Sequence, residues 1–223
     1  MPRKNGEKTR DQILNAAAQV FYNVNYHEAG LRDIAKLSGI SPRCIYKYFH
    51  SKEQLLVAMN NEGLKLMMTE MEQHLAGITG TAGKLGKMTY FYLEYFQRNY
   101  TAAWQVYVTT NLSMWRKSKE AWQNLAATEA VLNQILSEGQ RTGEIREDID
   151  VNAVRILYFG GIRFAIQSWL AAERGWDLIS VAEGLTNTVL EAIKKRPGTS
   201  APANCPFIKN SDRALQPGMV IEE

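Results

Sequence analysis

The chain has 223 residues, 45% apolar and 22% charged, with seven Phe, five Trp, ten Tyr, six prolines and a formal net charge of +3. A chain of this length buries a full core as one large domain or two small ones, which excludes disorder, collagen and coiled-coil fibre. The charge is uneven: residues 1–56 hold nine Lys or Arg against five Asp or Glu, whereas residues 57–223 hold 17 against 18. A small basic module joined to a neutral body is expected.

The two cysteines, Cys44 and Cys205, lie far apart and imply no disulfide framework. The start Met1-Pro2-Arg3-Lys4 has no apolar core of a signal peptide, and no run approaches the ~18 apolar residues of a membrane span. A reduced, cytoplasmic protein is the expectation.

Nearly every segment from Thr9 to Arg196 has helical period, and none alternates convincingly as a strand does. The pattern predicts an all-α chain of about nine helices. The first carries Ile13, Leu14, Ala17, Ala18 and Phe21 on one stripe and breaks at Asn23 to Gly30. A short helix over Leu31–Leu37 follows, then a turn through Gly39, with Ser41 as N-cap and Pro42 opening a second short helix to about Phe49. Ser51 and Gln54 form a capping box for a long helix to about His74.

Ala76 to Gly86 holds four glycines and reads as a loop. Helices are expected near Lys87–Asn99, Ala102–Met114, Lys119–Thr142, Val151–Glu173 and Trp176–Lys195. The last 27 residues hold four of the six prolines and read as a tail outside the bundle. The division is therefore residues 1–52, a basic head with two short helices; 53–196, a helical bundle; and 197–223, the tail.

Two short helices across a Gly-containing turn, where basic charge concentrates, suggest a helix-turn-helix. In the second, Ile45 and Phe49 share the i, i+4 spacing of a buried edge, which leaves Arg43, Tyr46, Lys47 and Tyr48 in water. Cations beside exposed tyrosines suit phosphate clamping and base reading. An ordinary solvated helix is the alternative.

The block Ile13-Leu14-Asn15-Ala16-Ala17 with Phe21, Leu31 to Ser41, and Ile45 to Leu55 resembles the TetR family of bacterial transcriptional regulators. The resemblance implies that the helix from Pro42 enters the major groove, with Arg43 and Lys47 at base edges. It also implies that Tyr46, Tyr48, His50 and Lys52 meet phosphates, and that Lys8 and Arg10, with Arg3 and Lys4, brush the backbone or a minor groove. Arg32 at the start of the preceding helix joins the DNA-facing set. Ala29-Gly30 stands where the family often has a Thr pair, and Arg43 where it often has Gly.

Eight aromatics fall between Tyr90 and Tyr107 and point around the helix in nearly all directions, so this segment is enclosed by protein. It is either an aromatic-rich core or the wall of an apolar ligand cavity. The candidate wall is Tyr92, Phe96, Tyr107, Trp115, Phe159 and Arg163. Glu94 suits a cation, and Arg98 or Arg163 a carboxylate, phosphate or acyl-CoA head.

The last two helices read as a dimer interface through Tyr158, Gly161, Ile162, Ala165, Trp169, Leu185 and Val189, with Gly160-Gly161 as a point of close approach. The other reading closes one bundle with both stripes. His27, His50 and His74 have no metal-ligand spacing, and no nucleophile or phosphate-loop motif occurs, so neither metal, cofactor nor catalysis is expected. The expected function is a homodimeric regulator bound to a palindromic operator, most simply a repressor released by a small hydrophobic or aromatic molecule. The alternatives are an acyl-CoA effector or an activator; a helical enzyme or adaptor leaves the Arg43 to Lys52 surface unexplained.

Overall fold

The computed structural model describes residues 2–24, 26–104, 106 and 118–195. Among them are nine α-helices: α1 Pro2–Asn23, α2 Leu31–Ser38, α3 Pro42–Tyr48, α4 Lys52–Leu75, α5 Thr81–Arg98, α6 Tyr100–Trp104, α7 Lys119–Thr142, α8 Val151–Ala171 and α9 Ala182–Ile193. A 3-10 turn over Leu178–Val181 leads into α9. The one isolated bridge among these residues, Ile145 with Lys194, ties the end of α9 to the loop after α7. The tail expected at 197–223, and most of the helix expected over 102–114, lie outside the described residues.

Local chemistry sets the boundaries. Ser41 Oγ accepts from the Cys44 N–H at 3.3 Å and Ser51 Oγ from the Gln54 N–H at 3.1 Å, so both expected caps form. The Gln54 side chain reaches one residue further back than a capping box does, accepting from the His50 N–H at 2.7 Å. Gly39 ends α2 with φ +69°, the left-handed conformation that glycine adopts without Cβ strain.

One element begins earlier than its sequence suggests. The glycines of 76–86 read as loop, but α5 starts at Thr81, because the carboxylate of Glu144, 63 residues away, accepts from the Thr81 N–H at 2.6 Å. That bond holds the Glu144 carboxyl below the usual carboxylate range, with Thr142 assisting and burial opposing. A cap from so distant a residue is invisible to local pattern.

Two apolar clusters divide the chain. The head cluster joins Ile13, Ala17, Phe21, Ile34, Ile45, Phe49, Leu55 and Leu56, with Met59 packed against it. Each fully buried aliphatic side chain here contributes roughly 1.5–3 kcal/mol. The body cluster begins on the same long helix at Met67 and Met71, with Leu64 against it, and takes in the inner faces of α5, α7, α8 and α9. The seam between the cores falls at residues 60–63 of α4, beyond the 52/53 division expected from the helix-turn-helix pattern. One helix thus belongs to both cores.

Candidate DNA-binding interface and effector site

On α3, Ile45 is fully buried and Phe49 nearly so, which fixes the opposite face outward. Arg43, Tyr46, Lys47 and His50 are exposed, with Arg43 and Lys47 one turn apart. Arg32 at the start of α2 and Lys8 on α1 are exposed as well. Tyr48 is not free in water as expected; it is half-buried against the head cluster. Gly30, where the family often has Thr, caps α2 without a side chain, and its N–H donates to Asp33 at 3.1 Å instead.

Two cations expected at the phosphates are committed elsewhere. The Lys52 ammonium donates to the carbonyls of Tyr26 at 2.7 Å, Ala29 at 3.1 Å and His27 at 3.4 Å, and sits 4.5 Å from the centre of the Tyr26 ring. It staples the α1–α2 loop, since three carbonyls together draw the charge inward. Burial and the neighbouring Glu53 push the Tyr26 hydroxyl up to about 12, so that ring stays neutral beside the cation. Arg10 donates to Glu62 at 3.1 Å and lies over the Phe49 ring. It ties the head to α4. Arg3 and Lys4 lie outside the described side chains.

Head and body meet at a cleft of about 290 Å³ lined by Leu14 and Tyr22 of α1, Asn60 and Gly63 of α4, and Tyr95 and Phe96 of α5. Tyr22 faces Tyr100 with ring centres 6.3 Å apart, and Arg174 stacks on Tyr100 at 4.2 Å. Burial would raise the Glu62 carboxyl, but Arg10 and Lys65 outweigh it and hold the group low. The two head–body ties therefore flank the cleft.

Of the expected ligand wall, Tyr92 and Phe96 are buried in the body, and Phe159 meets Tyr92 edge-on at 6.0 Å. Tyr107 and Trp115 lie outside the described residues. Arg163 lies on the exposed side of α8, one turn from Gly160. Sequence reading missed Asn61. This residue is 1% exposed, and neither its amide nitrogen nor its oxygen has a partner. An unpaired buried amide costs about 1–3 kcal/mol. The signal was present as consecutive asparagines directly after the apolar run of residues 55–59.

The expected dimer set is largely internal. Tyr158, Ile162, Ala165 and Trp169 are buried within the single chain, Tyr158 sharing a 3.1 Å hydrogen bond with Thr89 and Trp169 donating to the Trp176 carbonyl at 2.9 Å. Such residues have almost no surface left for a second copy. The close approach at Gly161 is also internal, because a Cβ there would lie 3.3 Å from Leu185 Cδ2. Leu185 and Val189 pack against the body cluster. The exposed apolar stripe of α8 is instead Ile156, Leu157 and Phe164, which are 63–72% exposed, with open space at Gly160.

Among known families, "Bacterial regulatory proteins, tetR family" matches residues 13–59 and "YsiA-like protein, C-terminal region" matches residues 60–192. The chain belongs to the TetR family. It is a ligand-responsive, DNA-binding transcriptional regulator, whose partners are operator DNA, a second copy and a small-molecule effector. The Fatty acid metabolism regulator protein of Bacillus subtilis is 30% identical over 186 residues, covering 82% of this chain and 92% of that protein. The transcriptional regulator TtgR of Pseudomonas putida is 22% identical, covering 87% and 96%. The crystal structure of Bacillus subtilis FadR in complex with stearoyl-CoA superposes with a TM-score of 0.72 at 25% identity, covering 82% of this chain and 98% of that one. Among the described residues no helix is long and apolar enough to cross a membrane.

Proposed function

We propose that this regulator is a cytoplasmic repressor, without catalytic activity, that leaves a palindromic operator when its body takes up a long-chain acyl-CoA. The observation that carries the effector class is the likeness, over 82% of this chain, to Bacillus subtilis FadR solved in complex with stearoyl-CoA. The body adds physical support: Met67, Met71 and Met88 lie buried among Phe91, Tyr92 and Phe96. Thioether side chains repack around a flexible apolar chain more readily than branched ones do. This favours the acyl-CoA alternative over a compact aromatic effector.

Arg43 and Lys47 read base edges, while Tyr46, His50, Arg32 and Lys8 meet the backbone. Two copies pair through the exposed stripe of α8, Ile156, Leu157 and Phe164, and hold the two α3 helices about 34–36 Å apart, one turn of DNA. The coupling runs along α4, which enters both cores. A ligand that shifts the body end of this helix re-aims the head, and a hundredfold loss of operator affinity requires about 2.7 kcal/mol of preference for the released state.

The test is fluorescence anisotropy on labelled DNA from upstream of the protein's own gene, with and without stearoyl-CoA. Release by stearoyl-CoA, but not by free CoA, is expected. Operator binding that is indifferent to saturating stearoyl-CoA sinks the effector class, and tighter binding would make the protein an activator or co-repressed.

A further inference from the structure

We infer that Asn61 is the polar anchor of the effector site, pairing through its side-chain amide with the carbonyl and N–H of consecutive secondary amides of the bound molecule. The inference rests on the acyl-CoA reading above. Asn61 is as buried as the core leucines, yet both ends of its amide are unpartnered. Among the described residues nothing pairs with that group. A leucine of nearly the same size would remove the desolvation penalty and add apolar burial. An amide left bare in a protein interior is explained by a partner that arrives from outside.

The chemistry of the partner follows from the geometry of the group. A carboxamide presents N–H donors and a carbonyl acceptor in one plane, so its complement offers one acceptor and one donor side by side. One trans secondary amide points its carbonyl and its N–H to opposite edges, but two consecutive ones can turn the carbonyl of one and the N–H of the next to the same side. A hydrocarbon chain offers neither, and a carboxylate only accepts and brings an uncompensated charge into the interior. The pantetheine arm of an acyl-CoA carries secondary amides next to the thioester; a free fatty acid has none. Asn61 therefore favours the thioester over the acid of the same chain length.

Its position gives the contact leverage. Asn61 lies on α4 between Leu55, Leu56, Ala58 and Met59, which belong to the head core, and Leu64 and Met67, which belong to the body. A hydrogen bond made at this seam acts on the stretch of helix about which head and body can shift.

The experiment uses the full chain and its N61L and N61A variants. Stearoyl-CoA and stearate are titrated calorimetrically, melting is followed by circular dichroism, and operator binding is the check on folding. N61L is expected to melt a few degrees above the wild type, to hold the operator, and to bind stearoyl-CoA at least tenfold more weakly. N61A, which cannot overpack the site, should show the same weakening. Wild type should prefer stearoyl-CoA to stearate by at least tenfold, and both variants should lose that preference. If N61L and N61A bind stearoyl-CoA as the wild type does, this assignment is overturned while the effector class stands. If both variants lose the operator, Asn61 serves the fold and the assignment is equally overturned. If the wild type itself ignores stearoyl-CoA, the effector class falls and takes this inference with it.

Discussion

Helices α3 and α8 make the instructive comparison. The first is seven residues long with one buried edge, and its outward face is charged; the second is 21 residues long and apolar nearly all round. On α3, placing Ile45 inward determines where Arg43, Tyr46 and Lys47 go. On α8 either side can face the core, and periodicity alone cannot choose. The choice comes from α9, whose Leu185 seats against Gly161 and turns Tyr158, Ile162 and Trp169 inward.

The largest effect should come from breaking the exposed side of α8. Phe164→Glu with Leu157→Glu is expected to leave helical content intact, give monomers in sedimentation, and weaken operator binding at least a hundredfold, because two half-sites are then no longer held by one molecule. Ile162→Glu should instead unfold the body, since it buries a charge in a core. If the order is reversed, with Ile162→Glu monomeric and folded, the original stripe is the interface after all.

Next in size is the reading face. Arg43→Ala and Lys47→Ala should each remove about 1–3 kcal/mol of discrimination at particular base pairs, seen as relaxed positions in a binding-site selection. Unchanged preferences in both variants would reassign α3 to backbone contacts.

The head was largely legible because its helices are short and two-faced: caps at Ser41 and Ser51, the turn at Gly39 and the exposed Arg43–Lys47 pair all follow from local residues. What escaped were contacts across sequence distance. Lys52 looks like a phosphate contact at a helix N-terminus, but the carbonyls that claim it belong to residues 26, 27 and 29. The Glu144 cap on α5 escaped likewise. In the body, helix lengths were readable and helix facing was not, since apolar surface on both sides carries no direction.

Lys52 sharpens the same contrast at a smaller scale. Lys52→Met should lower the urea-unfolding free energy by about 2 kcal/mol, as charge-assisted hydrogen bonds to three carbonyls are lost. The slope of operator affinity against salt should stay as it is. A slope smaller by about one phosphate, with stability unchanged, would return Lys52 to the DNA.

The smallest expected effect concerns the tie between head and body. Glu62 is half-exposed, so its ion pair with Arg10 contributes no more than about 1 kcal/mol. Its sign with pH is nonetheless definite. The folded carboxyl is held below its ordinary value, whereas in the unfolded chain it titrates near 4.3. The folded state therefore binds the proton less readily than the unfolded one, and the stabilisation is fully present above about pH 5 and fades as pH falls through the folded value. Glu62→Gln should lower the melting temperature by a small, constant amount from pH 5 to 7, and the difference from wild type should close as pH falls below the ordinary carboxylate range. A difference that widens on acidification would mean that burial of the carboxyl outweighs Arg10 and Lys65, and that the head is held to α4 by apolar contact alone.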